Sequence, residues 1–172
     1  MNKRRSTVLI LCAAAFLILP LSRLIAQNSE SSPEANPPAQ WGTDYSAAVT
    51  KAAAENKRIL VNFSGSDWCH WCKVMDEEVL SRKAFKDYAD EHLVLLVVDT
   101  PRTKLPEDLA RRNEALIRRF YIDGFPTFVV LDGNGSELDR RTGYVRGGPQ
   151  AFIAFLKQTE SAETPPKPAQ SE

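Results

Sequence analysis

The sequence predicts an α/β fold: a mixed central sheet with helices on both faces, in three layers. Three observations predict it. Two short, nearly continuous apolar runs, Arg58 to Phe63 and Leu93 to Val98, read as strands buried on both faces. A helical stretch between them is long enough for a parallel crossover. Two further runs, Thr127 to Leu131 and Glu137 to Val145, flank Asp132-Gly133-Asn134-Gly135, which reads as a hairpin turn. A parallel pair followed by an antiparallel pair, with helices interleaved, gives the order α-β-α-β-α-β-β-α and a layered sandwich.

The chain begins with a basic cluster, Lys3, Arg4 and Arg5, ahead of an apolar run from Val8 to Leu19. Length and flanks match a secretory signal over residues 1–26, cut after Ala26, with a retained inner-membrane anchor as the alternative. Either way the basic end stays inside and the remainder faces the periplasm or the exterior. Cys12 lies in this run, and Leu11 stands where lipid attachment would want a small residue. Residues 27–40 are Ser, Pro, Glu, Asn and Ala without apolar periodicity, and read as a disordered linker. Residues 161–172 read as a disordered tail. The folded domain is therefore expected over residues 41–160.

Within it, Asp44 to Asn56 carries Tyr45, Ala48, Val49 and Ala52 at helical spacing. A helix is expected from Cys69 to Leu80, with Val74, Met75, Val79 and Leu80 inside. Ser81 is placed to cap a second piece bearing Phe85 and Tyr88. Pro101 to Pro106 reads as a loop. Glu107 to Phe120 reads as a charged helix resting on Leu109, Leu116 and Ile117. Gly147-Gly148-Pro149 opens a closing helix with Phe152, Ile153, Phe155 and Leu156.

The whole chain has 172 residues and no formal net charge, so it suits one domain with tails and makes nucleic acid a poor partner. Of its three cysteines, the folded part holds only Cys69 and Cys72, which excludes a disulfide-stapled scaffold. Asp76, Glu77 and Glu78 read as a solvated helix face, as do Arg111, Arg112, Arg118 and Arg119.

The chemistry concentrates in Ser64-Gly65-Ser66-Asp67-Trp68-Cys69-His70-Trp71-Cys72-Lys73. Two cysteines two residues apart at a strand-to-helix junction form a redox dithiol pattern. Free N–H groups and the positive dipole end of a helix favour the thiolate, which is the nucleophile. The spacing lets the second sulfur attack a mixed disulfide made by the first. His70 would add a cation beside the Cys69 thiolate and make the disulfide more oxidising. Trp68 and Trp71 offer an apolar rim for substrate. A metal site needs more ligands than two thiolates and His70, so no metal is expected, nor any other cofactor. A c-type haem would need a histidine where Lys73 stands.

The motif Trp68-Cys69-His70-Trp71-Cys72-Lys73, the later Gly124-Phe125-Pro126-Thr127 and the Gly147-Gly148 pair resemble the thioredoxin superfamily. The likeness is to the secreted bacterial branch that includes the soluble domain of thiol:disulfide interchange proteins. The resemblance implies a thioredoxin fold and a thiol–disulfide oxidoreductase, working as a reductase or interchange protein. It makes Cys69 the attacking, partly exposed cysteine and Cys72 the buried resolving one. It makes Pro126 a cis-proline facing the dithiol, with Phe125 and Thr127 in the substrate groove; an X-Pro bond can be cis at modest cost. Partners would be protein cysteines and a membrane electron donor, with the chain itself a monomer. Two departures stand out. Asn62 occupies the place where the family often has a buried carboxylate, and an apolar residue around Leu95 replaces a frequent lysine. Asp67, Asp76 or water remain as proton acceptors for Cys72. The other readings are a thioredoxin-like binding module and a copper- or zinc-thiolate carrier.

Overall fold

Hydrophobic alternation along one strand sets the layers. In Arg58–Ser64, Leu60 points into a cluster with Met75, Val79, Phe85 and Phe152, while Ile59, Val61 and Phe63 point into a second with Ala52, Leu116 and Phe120. Successive side chains of a strand alternate faces, so a strand apolar on both must be covered on both. The computed structural model describes residues 40–162. The expected signal over residues 1–26, with Cys12, most of the linker and nearly all of the tail lie outside the described residues.

The elements run β1 (Trp41–Gly42), α1 (Tyr45–Glu55), β2 (Arg58–Ser64), α2 (His70–Met75), a π-helical turn (Asp76–Leu80), α3 (Lys83–His92), β3 (Leu93–Asp99), α4 (Glu107–Arg119), β4 (Thr127–Leu131), β5 (Glu137–Thr142), α5 (Gly148–Gln158) and a 3₁₀ turn (Thr159–Ala162). The sheet order is β1-β3-β2-β4-β5. β2 and β3 are parallel with Leu60 opposite Leu95, and β4 runs antiparallel to both β2 and β5. Helices α2, α3 and α5 cover one face, α1 and α4 the other. The expected three-layer mixed architecture is the one observed.

Local chemistry explains the boundaries. Asp44 caps α1 by accepting the Ala47 N–H at 2.9 Å, and Asn56 ends the helix in the left-handed conformation. Acids at Glu107 and Asp108 and bases at Arg118 and Arg119 complement the dipole of α4.

Three features depart from the sequence expectation. β1 was not foreseen: two residues are too few to show a period, and only pairing with Leu95 and Leu96 makes them a strand. The helix after the dithiol changes to π geometry at Asp76, where the Ser81 N–H reaches back to the Asp76 carbonyl at 2.8 Å. Ser81 thus closes that turn rather than capping the next helix, which starts after Arg82 with no side-chain cap. The widened turn keeps Val79 and Leu80 both buried while Asp76, Glu77 and Glu78 stay outside. Finally, β5 ends at Thr142, not Val145, because Gly143 takes φ +86° and gives its N–H to the Pro126 carbonyl at 2.7 Å.

The end of α5 and the turn after it are tied down by a buried arginine. Arg58, 3% exposed, donates to the Leu156 carbonyl, Thr159, Tyr88 and Glu160. Burial, then the Glu160 hydrogen bond, pushes the Tyr88 hydroxyl up to about 12.

Candidate active site

Cys69 and Cys72 are joined in a disulfide with an S–S distance of 2.06 Å. Cys69 is the N-cap of α2, and its Sγ accepts the Cys72 backbone N–H at 3.1 Å. Exposure does not separate the two sulfurs, contrary to the expectation of a partly exposed Cys69: both residues are 6% exposed. The N–H does separate them, because it favours negative charge on Cys69 once the bond is reduced.

The loop before the dithiol is held from the other side by the chain that follows β3. Asp99 accepts the Ser66 N–H at 2.8 Å and the Ser66 hydroxyl at 2.6 Å. Asp67 accepts the N–H groups of Arg102 and Thr103. The Arg102 N–H is the main cause that holds the Asp67 carboxyl below its usual range. The Trp68 indole donates to the Thr100 carbonyl at 2.7 Å, and Lys73 Nζ to the Asp67 carbonyl at 2.9 Å. Asp67 is therefore a structural anion occupied by backbone donors, which removes it as an acceptor for the Cys72 proton.

Trp68 and Trp71 are the large apolar side chains exposed beside the dithiol, at 38% and 51%. Trp68 meets Phe125 edge to face at 5.5 Å between centroids. The Phe125–Pro126 peptide bond is cis, and Pro126 is buried. Trp71 stacks on Tyr144 at 5.4 Å and 29°, with exposed His70 edge-on at 5.1 Å. The Tyr144 hydroxyl donates to Glu78, which is the main cause raising its pKa. Two aromatic pairs thus rim the disulfide.

Thr127 departs from its expected place in the substrate groove. It is 1% exposed, and its hydroxyl is shared between the Gly124 carbonyl and Thr142. As the first residue of β4 its side chain turns into the protein, leaving no side-chain atom for a substrate.

Behind the dithiol lies a cavity of about 300 Å³ that Cys72 lines together with Asn62, Ser64, Lys73 and Asp76. Asn62 shares its sheet face with Leu60, under α2. Its Oδ1 is buried and has no hydrogen-bond partner among the described residues. Among the described residues no group of three or more His, Cys, Asp or Glu side chains is placed to hold a metal ion.

Sequence reasoning missed Gly65, Tyr144 and Asp99. A Cβ on Gly65 would lie 2.3 Å from the Trp68 indole, so glycine is needed for the ring to fold over the backbone. That signal was present, as a glycine three residues before a tryptophan. Nothing in the sequence joins Tyr144 to Trp71 across 73 positions, or Asp99 to Ser66.

The family model for a thioredoxin-like domain matches residues 45–160. The disulfide bond reductase DsbH of Chlamydia pneumoniae is 34% identical over 119 residues, covering 69% of this chain and 70% of that protein. The thiol:disulfide interchange protein DsbD of Actinobacillus pleuropneumoniae is 27% identical over 108 residues, 62% of this chain but only 17% of the relative. The solved structure of a DsbH oxidoreductase superposes with a TM-score of 0.68 at 32% identity, covering 78% of this chain and 92% of that one. With the paired cysteines at a strand-to-helix junction and the cis-proline beyond them, these matches settle the family: the chain belongs to the thioredoxin-like domain family.

Proposed function

We propose that the protein is an extracytoplasmic thiol–disulfide oxidoreductase that reduces disulfides in other proteins. The observation that carries this reading is the asymmetric dithiol: a Cys69 sulfur that receives a helix N–H, bonded to a Cys72 that backs onto a cavity. Similarity to a chain named a disulfide bond reductase supports the reductive direction. Cys69 attacks the substrate disulfide, forming a Cys69–substrate bond and releasing one substrate thiolate. Cys72 then attacks Cys69, and the second substrate sulfur leaves. Two electrons pass from the dithiol to the substrate. An extended substrate segment lies along the Phe125 backbone beside Pro126, between the Trp68–Phe125 and Trp71–Tyr144 pairs. His70 stands exposed at the first helical position, next to Cys69 in the chain.

The basic cluster and apolar run of residues 1–26 support export. None of the described helices is long and apolar enough to cross a membrane. In the periplasm a reductase must be recharged by a donor that carries electrons across the membrane.

Two measurements test this. A Cys72→Ser protein expressed in intact cells should accumulate mixed disulfides through Cys69, and a Cys69→Ser protein none. The glutathione redox equilibrium should give a potential near that of thioredoxin, about −270 mV. A value near about −120 mV would instead make it a disulfide donor. Absence of both trapped partners and a reversible disulfide would refute the oxidoreductase reading.

A further inference from the structure

The resolving step needs a base. Cys72 must lose its proton before its sulfur can attack Cys69, and thiols are largely protonated near neutral pH. The buried-carboxylate position under α2 holds Asn62, which cannot take a proton, and Asp67 is bound by two backbone donors.

The cavity behind Cys72 supplies what is missing. At about 300 Å³ it is large enough for several waters. Its largely apolar wall carries a few polar groups: Asn62, Ser64 and Ser66 on the strand side, Lys73 and Asp76 on the helix side. The buried Asn62 Oδ1, unpartnered among the described residues, is an acceptor suited to fixing one water. Asp76 lies four residues beyond Cys72, and its N–H bonds to the Cys72 carbonyl, so the two side chains share one face of the helix. Among the described residues the Asp76 carboxylate has no ion pair. The other charge on the wall, Lys73, gives its ammonium to the Asp67 carbonyl. Across the cavity β1 and β3 present Trp41 and Val97, which do not titrate, and Asp99 at the end of β3 is held by Ser66.

We propose that Asp76 accepts the Cys72 proton through water in this cavity, with Asn62 as the residue that positions that water. The inference rests on the oxidoreductase reading. In the step, the Cys72 S–H bond breaks and its proton passes through water to the Asp76 carboxylate. The Cys72 sulfur forms a bond to Cys69 Sγ. The bond between Cys69 and the substrate breaks, and its electron pair leaves on the substrate sulfur. Asp76 afterwards returns its proton to solvent at its exposed side. The helix change at Asp76 places the residue where α geometry ends and the acidic turn begins.

The test uses full-length protein and glutathione disulfide as the probe. Reduced protein is mixed with it, acid-quenched at intervals, and the glutathionylated and internally bonded forms are counted by mass spectrometry. Asp76→Asn should leave formation of the glutathione adduct unchanged and slow its resolution by about a hundredfold or more at pH 7, in the range typical of general base catalysis. Resolution in the variant should also rise about tenfold per pH unit where the wild type is flatter. Asn62→Asp in the Asp76→Asn background should restore the rate by putting a carboxylate beside the same water. Resolution by Asp76→Asn at the wild-type rate and pH profile overturns the proposal, as does equal slowing of adduct formation. A wild-type protein that forms neither adduct nor internal disulfide would instead defeat the oxidoreductase reading itself.

Discussion

Gly65→Ala should destabilise the protein only because Trp68 is present. The backbone at Gly65 is not left-handed, so alanine is conformationally acceptable there. An added Cβ would nevertheless lie 2.3 to 2.6 Å from three atoms of the Trp68 indole. The ring must move, and moving it breaks the 2.7 Å bond to the Thr100 carbonyl and the edge contact with Phe125. A net hydrogen bond contributes about 1 kcal/mol and an aromatic pair about 0.5–1.5 kcal/mol. Against this, replacing glycine by alanine gains about 0.4–1 kcal/mol through the unfolded chain. The net expectation is a loss of about 0.5–2 kcal/mol. In a Trp68→Ala background the obstacle is gone, and the same substitution should turn neutral or stabilising. Urea unfolding of the four proteins gives the coupling, expected at about 2 kcal/mol. Equal costs of Gly65→Ala in both backgrounds would refute the steric argument and place the glycine requirement in the backbone.

Other consequences follow from the same contacts. Arg58→Ala should destabilise by about 3 kcal/mol or more, since it strands the Tyr88, Thr159 and Leu156 acceptors; urea midpoints measure this, and a loss below about 1 kcal/mol would contradict it. The Tyr88 pKa of about 12 lies above its usual value of 10.0, so the stability it carries is complete below pH 10 and declines as pH rises toward 12. Tyr88→Phe should flatten that decline in urea midpoints taken between pH 9 and 12; an unchanged slope would assign it elsewhere. Trp71→Ala should raise KM for a disulfide-bonded protein substrate several-fold and leave the reaction with glutathione disulfide unaltered, and equal effects on both would deny the aromatic rim a docking role. Tyr121, 85% exposed with φ +51°, sits where a helix end favours glycine, so Tyr121→Gly should stabilise by a few tenths to about 1 kcal/mol in thermal or urea unfolding.

The layers and the dithiol were legible in the linear sequence because they rest on local rules. Continuous apolar runs named β2, β3 and β4, since only doubly covered strands lack a polar period. Tyr45, Ala48, Val49 and Ala52 marked α1 by their helical spacing. Cys69 and Cys72 announced themselves because their spacing is fixed by one helical turn. Short-range signals failed where geometry was set at a distance. β1 exists only through Leu95 and Leu96, and the π turn arises because Val79 and Leu80 must both face the core.

The site divides in the same way. Sequence alone determined the fold class, the paired cysteines and the aromatic neighbours at Trp68 and Trp71, because each is carried by residue identity and spacing; the family resemblance marked Asn62 as standing where a carboxylate is frequent. Only the tertiary structure decided which groups surround the sulfurs. It set Tyr144 against Trp71, turned Thr127 inward, occupied Asp67 with the N–H groups of Arg102 and Thr103, and opened a cavity between Asn62, Cys72 and Asp76. These contacts join segments far apart in the chain. They are products of sheet order and helix packing, which no local pattern encodes.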